Sequence, residues 1–117
     1  LTSINQQTMN KELLIFGTVE DCVLHYAELA KKAGLHGVVC SPNEVELIKS
    51  HLGKEFIAVT PGVRPLGSDV GDQKRVMSPA QAIQAGSDYL VVGRPITASP
   101  DPKRTFDQIL AEIGVTV

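Results

Sequence analysis

The chain has 117 residues, 43% of them hydrophobic and 21% charged, the balance of a single globular domain and too short for two. Eleven Lys and Arg against thirteen Asp and Glu leave a formal net charge of −2, which argues against the broad basic footprint of a nucleic-acid binder, so an anion must be caught locally. Cys22 and Cys40 are too far apart for a Cys-x-x-Cys site, and one pair is too few for a disulfide-built scaffold, which points to a reducing, cytoplasmic setting. No apolar run approaches the roughly 20 residues of a membrane span. Leu1-Thr2-Ser3 carries neither an initiator Met nor a basic signal region, so the chain is expected to begin partway through a larger unit.

Along the chain, Val19 to Ala33 repeats apolar residues at three- and four-residue spacing and predicts an amphipathic helix. Thr18 is its expected N-cap, Glu20 and Asp21 suit its first turn, and Lys31-Lys32 before Gly34 mark its end. Gly37 to Ser41 is a short β-branched run with apolar residues on both faces, as in a buried parallel strand. Ser41-Pro42 opens a helix over Asn43 to Leu52, closed by Gly53. Phe56 to Thr60 is the next strand and runs into Pro61-Gly62-Val63-Arg64. Ser78-Pro79 caps a short helix over Ala80 to Ala85, and Tyr89 to Val92 forms the last strand, ending in Gly93-Arg94. Asp101-Pro102 opens a final helix whose buried face is expected to be Phe106, Ile109, Leu110 and Ile113. Leu1-Thr2-Ser3 reads as the end of an earlier strand.

Such alternation predicts an α/β fold with a parallel sheet, doubly wound or part of a β/α barrel. Both architectures place function at the carboxyl ends of the strands. There the most informative stretch is Arg64 to Met77, a polar connection of about 14 residues where βα loops usually need about 2 to 6. It reads as a lid or binding loop, with Arg64, Gln73, Lys74 and Arg75 beside flexible glycines, or as a solvated insertion. At Gly93-Arg94, glycine lets backbone N–H groups approach an anion and arginine offers a planar fork for phosphate. The plainer alternative is a turn glycine before a surface arginine. Loops after the last two strands of a β/α barrel commonly hold phosphate, which favours the first.

Other residues offer less chemistry. His25 and His51 fall in helices and His36 in a tight connection, with no spacing that gathers metal ligands. Cys22 is expected as a small buried hydrophobe. Cys40 sits at a strand end, but no histidine is placed to activate it. Glu44, Glu46, Asp69 and Asp72 read as ordinary surface or loop acids. Neither G-x-G-x-x-G nor G-x-x-x-x-G-K-[ST] occurs, against dinucleotide or P-loop binding.

Five blocks at the strand ends carry a family resemblance: L-T-S at 1–3, G-L-H-G-V-V-C-S at 34–41, V-T-P-G-V-R at 59–64, G-D-Q-K-R at 71–75 and V-V-G-R-P-I-T at 91–97. Together they resemble bacterial orotidine 5′-phosphate decarboxylase over nearly the whole chain. The resemblance implies a (β/α)8 TIM barrel that converts orotidine 5′-phosphate to UMP and CO2 with no metal or organic cofactor, as a cytoplasmic homodimer. It places Arg64, Gln73, Gly93 and Arg94 on phosphate-binding positions, Gln73 also reaching the pyrimidine from the lid. Thr2 and Ser3 face the base, and Pro61 lines its pocket.

The family's reacting groups are a Lys/Asp array written D-x-K-x-x-D, with another Lys and an Asp from the second subunit. Asp72-Gln73-Lys74 imitates the start of that motif, but the position three after Lys74 is Met77. No catalytic residue is therefore assigned within the chain. Against about 250 residues for a typical barrel, the chain is expected to be the C-terminal half, from the end of strand 5 through helix 8. It would then supply phosphate grip, lid and part of the base pocket, and be inactive alone. Two rivals stay open: a related sugar-phosphate decarboxylase, such as a 3-keto-gulonate 6-phosphate enzyme, and a non-catalytic phosphate-binding half-barrel. The exposed edges of such a half-barrel would invite association.

Overall fold

The computed structural model describes residues 1–65 and 76–115. Three strands, β1 (Gly37–Val39), β2 (Ile57–Thr60) and β3 (Tyr89–Leu90), form one parallel sheet in the order β1-β2-β3. Among the described residues five α-helices accompany them: α1 (Val19–Lys32), α2 (Pro42–Leu52), α3 (Pro79–Gln84), α4 (Arg94–Thr97) and α5 (Pro102–Glu112). The expected alternation of strand and helix is observed, and the helix starts follow their caps. Thr18, Ser41, Ser78 and Asp101 each accept a backbone N–H in the first turn, and Ser78 and Gln81 form a reciprocal capping box.

The register divides the sheet into two unlike faces. Val38 pairs with Ala58, and Thr60 with Leu90, so these side chains share one face, because directly paired residues project to the same side. On that face lies the core of Ala27, Cys40, Val45, Ile48, Leu52, Phe56 and Ala58, built with α1 and α2. Val39, Val59 and Tyr89 are paired in one row on the opposite face. That row is open: Val39 is 65% and Tyr89 62% exposed. Glycine is required at Gly37, where an added Cβ would collide with the Ile57 carbonyl oxygen.

At the amino end of the strands, Lys49 braces the sheet. Its Nζ donates to Lys54 O at 2.8 Å, Phe56 O at 2.7 Å and Asp88 Oδ2 at 2.6 Å. Asp88 Oδ2 also accepts the Ala58 N–H at 2.8 Å. Burial pushes the Asp88 carboxyl up, but the Lys49 hydrogen bond, the Ala58 N–H and the ammonium charge together outweigh it and hold the group below its ordinary value.

Several expectations are corrected. Leu1-Thr2-Ser3 is not strand: it turns, with the Ile4 N–H on Leu1 O at 3.4 Å. The segment after it contains a π-helical turn, Thr8–Glu12, around the buried Met9. It is tied by side-chain amides that no hydrophobic period announces: Gln6 accepts the Val19 N–H at 2.9 Å and Asn10 donates to Ile15 O at 2.7 Å. β3 stops at Leu90 because Gly93 leads straight into α4, whose start Pro95 marks. Along α5 only Ile109 is buried, Leu110 and Ile113 are half-buried, and Phe106 is 47% exposed, since α5 packs on α4 and α3 through a narrower face than its period suggests. Cys22 is half-buried, its thiol on Phe16 O. Glu44, expected on the surface, is 2% exposed, because it lies one turn before Ile48 on the inward side of α2.

Candidate active site

The sequence-predicted residues that the structure describes gather at the carboxyl ends of the strands. β1 ends at Cys40-Ser41, where the Ser41 hydroxyl caps α2. Thr2 meets that end. With Tyr26, Val39, Cys40 and Ser41 it lines a cavity of about 100 Å3. Ser3 is exposed and does not line it.

β2 leads into Pro61-Gly62-Val63-Arg64. Gly62 turns the chain at φ 75°, a left-handed conformation that favours glycine. Val63 is fully buried and bridges to Met77 in parallel fashion, and the Arg64 N–H donates to Met77 O at 2.9 Å. The two ends of the long connection are thereby clasped at the rim. Arg64 is 8% exposed, with Nη1 donating to Val63 O at 2.9 Å. Gln73 lies outside the described residues.

β3 delivers Gly93 and Arg94 to the same rim. The Val91 N–H donates to Thr60 O at 2.9 Å, so the segment after β3 leaves the sheet directly beside Pro61. Gly93 then caps the single-turn helix α4, with its carbonyl accepting from Ile96 and Thr97. A Cβ added at Gly93 would meet nothing within 4 Å. Packing among the described residues therefore does not demand glycine there, whereas close approach of an anion to the backbone would. Arg94 is exposed on the same turn. A short helix after the penultimate or last strand, beside a second arginine-bearing loop, is the arrangement by which β/α barrels hold phosphate.

Sequence reasoning missed one support of this rim. Thr60, fully buried, places Oγ1 2.6 Å from Ser87 Oγ, and both hydroxyls lie on Tyr89 O, at 3.4 and 3.2 Å. This pair locks the end of β2 to the start of β3 and so fixes where Pro61 and Val91 emerge. Thr60 is visible in the sequence as the last strand residue, but nothing there pairs it with Ser87. Among the described residues no group of three or more His, Cys, Asp or Glu side chains could hold a metal ion. No helix among them is long and apolar enough to cross a membrane.

Comparison with known proteins decides the family. A profile described as the orotidine 5′-phosphate decarboxylase / HUMPS family matches residues 1–109. The chain belongs to this family. Curated relatives named orotidine 5′-phosphate decarboxylase include one from Moorella thermoacetica, 53% identical over 97% of this chain and 45% of that protein. Another, from Actinobacillus pleuropneumoniae serotype 5b, is 60% identical over 78% of this chain and 40% of its own length. The crystal structure of orotidine 5′-phosphate decarboxylase from Lactobacillus acidophilus superposes with a TM-score of 0.78 at 36% identity, covering 98% of this chain and 46% of that one. The chain thus spans about half the length of the curated relatives it matches. Its sheet and helices are a partial barrel of the family's β/α type, as expected from the five strand-end blocks.

Proposed function

We propose that this chain is the C-terminal half of a (β/α)8 barrel, from the end of strand 5 through helix 8, whose intact form decarboxylates orotidine 5′-phosphate to UMP without a cofactor. In this reading Arg64, Gln73, Gly93 and Arg94 hold the phosphate, Thr2 and Ser3 face the base, and Pro61 lines its pocket. The observation that carries it is the adjacency of the β2 and β3 ends, fixed by the Val91 to Thr60 bond, which delivers Arg64 and Gly93-Arg94 to one rim. Relatives 51–60% identical bear the name of that decarboxylase.

The chemistry explains why so much of the site is devoted to phosphate. A remote dianion supplies binding energy that closes loops around the substrate and is realised at the reacting carbon only in the transition state. The carbanion left at C6 of the pyrimidine must then be stabilised and protonated by Lys and Asp side chains on the barrel's earlier strands. Those strands lie outside these 117 residues, so the chain alone binds and does not turn over. The intact enzyme is a homodimer in the cytoplasm, a reducing setting that suits the two free thiols, Cys22 and Cys40.

Titration of the chain with UMP and with a pentulose 5-phosphate tests the substrate class. Preference for UMP is expected from a site that reads a base. Equal affinities would move the assignment to a sugar-phosphate decarboxylase. Turnover of orotidine 5′-phosphate by the chain alone, near the rate of an intact relative, would show that the reacting groups have been misplaced.

A further inference from the structure

We propose that Thr60 and Ser87 are positioning residues for the phosphate grip: their buried hydroxyl pair holds the ends of β2 and β3 at the separation at which Arg64 and Gly93-Arg94 close on one anion. This deepens the phosphate reading, on which it rests, by naming what sets the distance between the two arms. The need for such a part follows from the ladder. The Val91 N–H on Thr60 O, at 2.9 Å, joins the two strands at their carboxyl ends. The next residue on the β2 side is Pro61, which carries no N–H with which to add a rung. From there one arm turns at Gly62 and reaches Arg64, while the other passes Gly93 into α4. An error in the strand spacing at Thr60 is therefore carried to two arms that must grip one group. A binding constellation tolerates misplacement of only about 0.5 Å.

At Thr60 the side chain is not the one that packing alone would select. The residue is fully buried, on the face of the sheet that packs against the core with Val38 and Ala58. Valine has the same shape and would fill that place with no polar group to desolvate. The hydroxyl is instead met by a second one, Ser87 Oγ at 2.6 Å, on a residue only 6% exposed, and both lie on Tyr89 O, at 3.4 and 3.2 Å. Two protons serve two acceptors, one across the pair and one on Tyr89 O, so the network is complete whichever hydroxyl donates to the other. A complete buried network adds little net stability and fixes one arrangement. Apolar contact is non-directional and fixes the spacing less closely. The pair ties the last residue of β2 to the residues that open β3, and so holds both exits at once.

Two substitutions at Thr60, made in the whole chain, separate position from stability because they move the two in opposite directions. Thr60→Val keeps the shape and leaves Ser87 its bond to Tyr89 O, so the urea midpoint stays at or above that of the wild-type chain. Its affinities for UMP and for ribose 5-phosphate are expected to fall by one common factor of about 10 in calorimetric titration. Thr60→Ser keeps the hydroxyl and loses a buried methyl group, so its urea midpoint drops while both affinities stay within about 2-fold of wild type. Hydrogen exchange reads the strand ends without ligand. In Thr60→Val the Val91 amide, on Thr60 O, should exchange at least about 10-fold faster, whereas the Cys40 amide, on Val59 O at 3.0 Å, keeps its protection. Wild-type affinity in Thr60→Val, affinities that follow the urea midpoint through both variants, or unchanged protection of Val91 would each overturn the positioning role. Arg94→Ala, titrated beside them, distinguishes the two levels. If Arg94→Ala leaves both affinities unchanged, the phosphate reading falls and takes this role with it; if Arg94→Ala weakens binding and Thr60→Val does not, the positioning role alone falls.

Discussion

Replacing Lys49 with Met tests whether the amino end of the sheet is held by one ammonium group. Methionine keeps the stem packed and removes three hydrogen bonds at once, to Lys54 O, Phe56 O and Asp88 Oδ2, from a side chain only 11% exposed. A hydrogen bond from a charged donor contributes about 1.5–3 kcal/mol when buried. The sum is smaller here. Asp88 is 37% exposed, which brings its share down to the surface-pair range of about 1 kcal/mol or less, and water can reach at least the Lys54 carbonyl. The expected loss is about 2–3 kcal/mol in urea unfolding followed by circular dichroism. The pH dependence adds a signature. The Asp88 carboxyl titrates lower in the folded state, so its pairing with Lys49 stabilises fully above the unfolded value near ~3.9 and is lost as pH falls through the folded value. The difference between wild type and Lys49→Met should be flat from about pH 5 to 7 and shrink below about pH 4. A loss under about 0.5 kcal/mol, or a difference that grows on acidification, would refute the brace.

Three other substitutions probe separate steps of the argument. Arg94→Ala should weaken UMP binding at least ~10-fold in calorimetric titration, whereas Lys103→Ala, removing an exposed lysine paired with Asp107, should change it less than ~2-fold; equal effects would remove Arg94 from the site. Ser78→Ala deletes half of the capping box at the start of α3 and should cost about 1 kcal/mol in urea unfolding, and no change would mean that α3 is held by its contacts alone. Gly37→Ala drives a methyl group into the Ile57 carbonyl and should cost about 1–3 kcal/mol, read as a lower thermal midpoint.

Features set by neighbours in the chain were readable in the sequence. The caps at Thr18, Ser41, Ser78 and Asp101 depend on a side chain and a backbone N–H two or three residues away, so a short window contains the whole interaction. The parallel sheet followed from two-sided apolar runs at 37–41 and 56–60, and Arg64, Gly93 and Arg94 stand where strand-end reasoning placed them. What escaped were contacts between distant residues and departures from a simple period. Ser87 reaches Thr60 across 27 positions, and Lys49 reaches Asp88 across 39. No local pattern encodes either pairing. Glu44 shows the opposite failure: charge argued for a surface, while the turn that buries Val45 and Ile48 carries Glu44 inward with them. The side-chain amides of Gln6 and Asn10 shape the segment before α1 with no hydrophobic repeat to betray it.

The two-sided apolar character of the strands bears a further step. A strand with polar residues on alternate positions is written for one covered face, whereas Gly37-Val38-Val39 and Ile57-Ala58-Val59 are written for two. The helices of this chain cover one of them, the face of Val38 and Ala58. The same residues that make the strands legible as parallel and buried therefore require a second layer against Val39, Val59 and Tyr89. In an intact barrel that layer is the rest of the barrel. Such a cover leaves the strand ends open on one rim. The residues proposed to hold phosphate thus sit at the end of the sheet, where they can function without interrupting the apolar interior that holds the strands together.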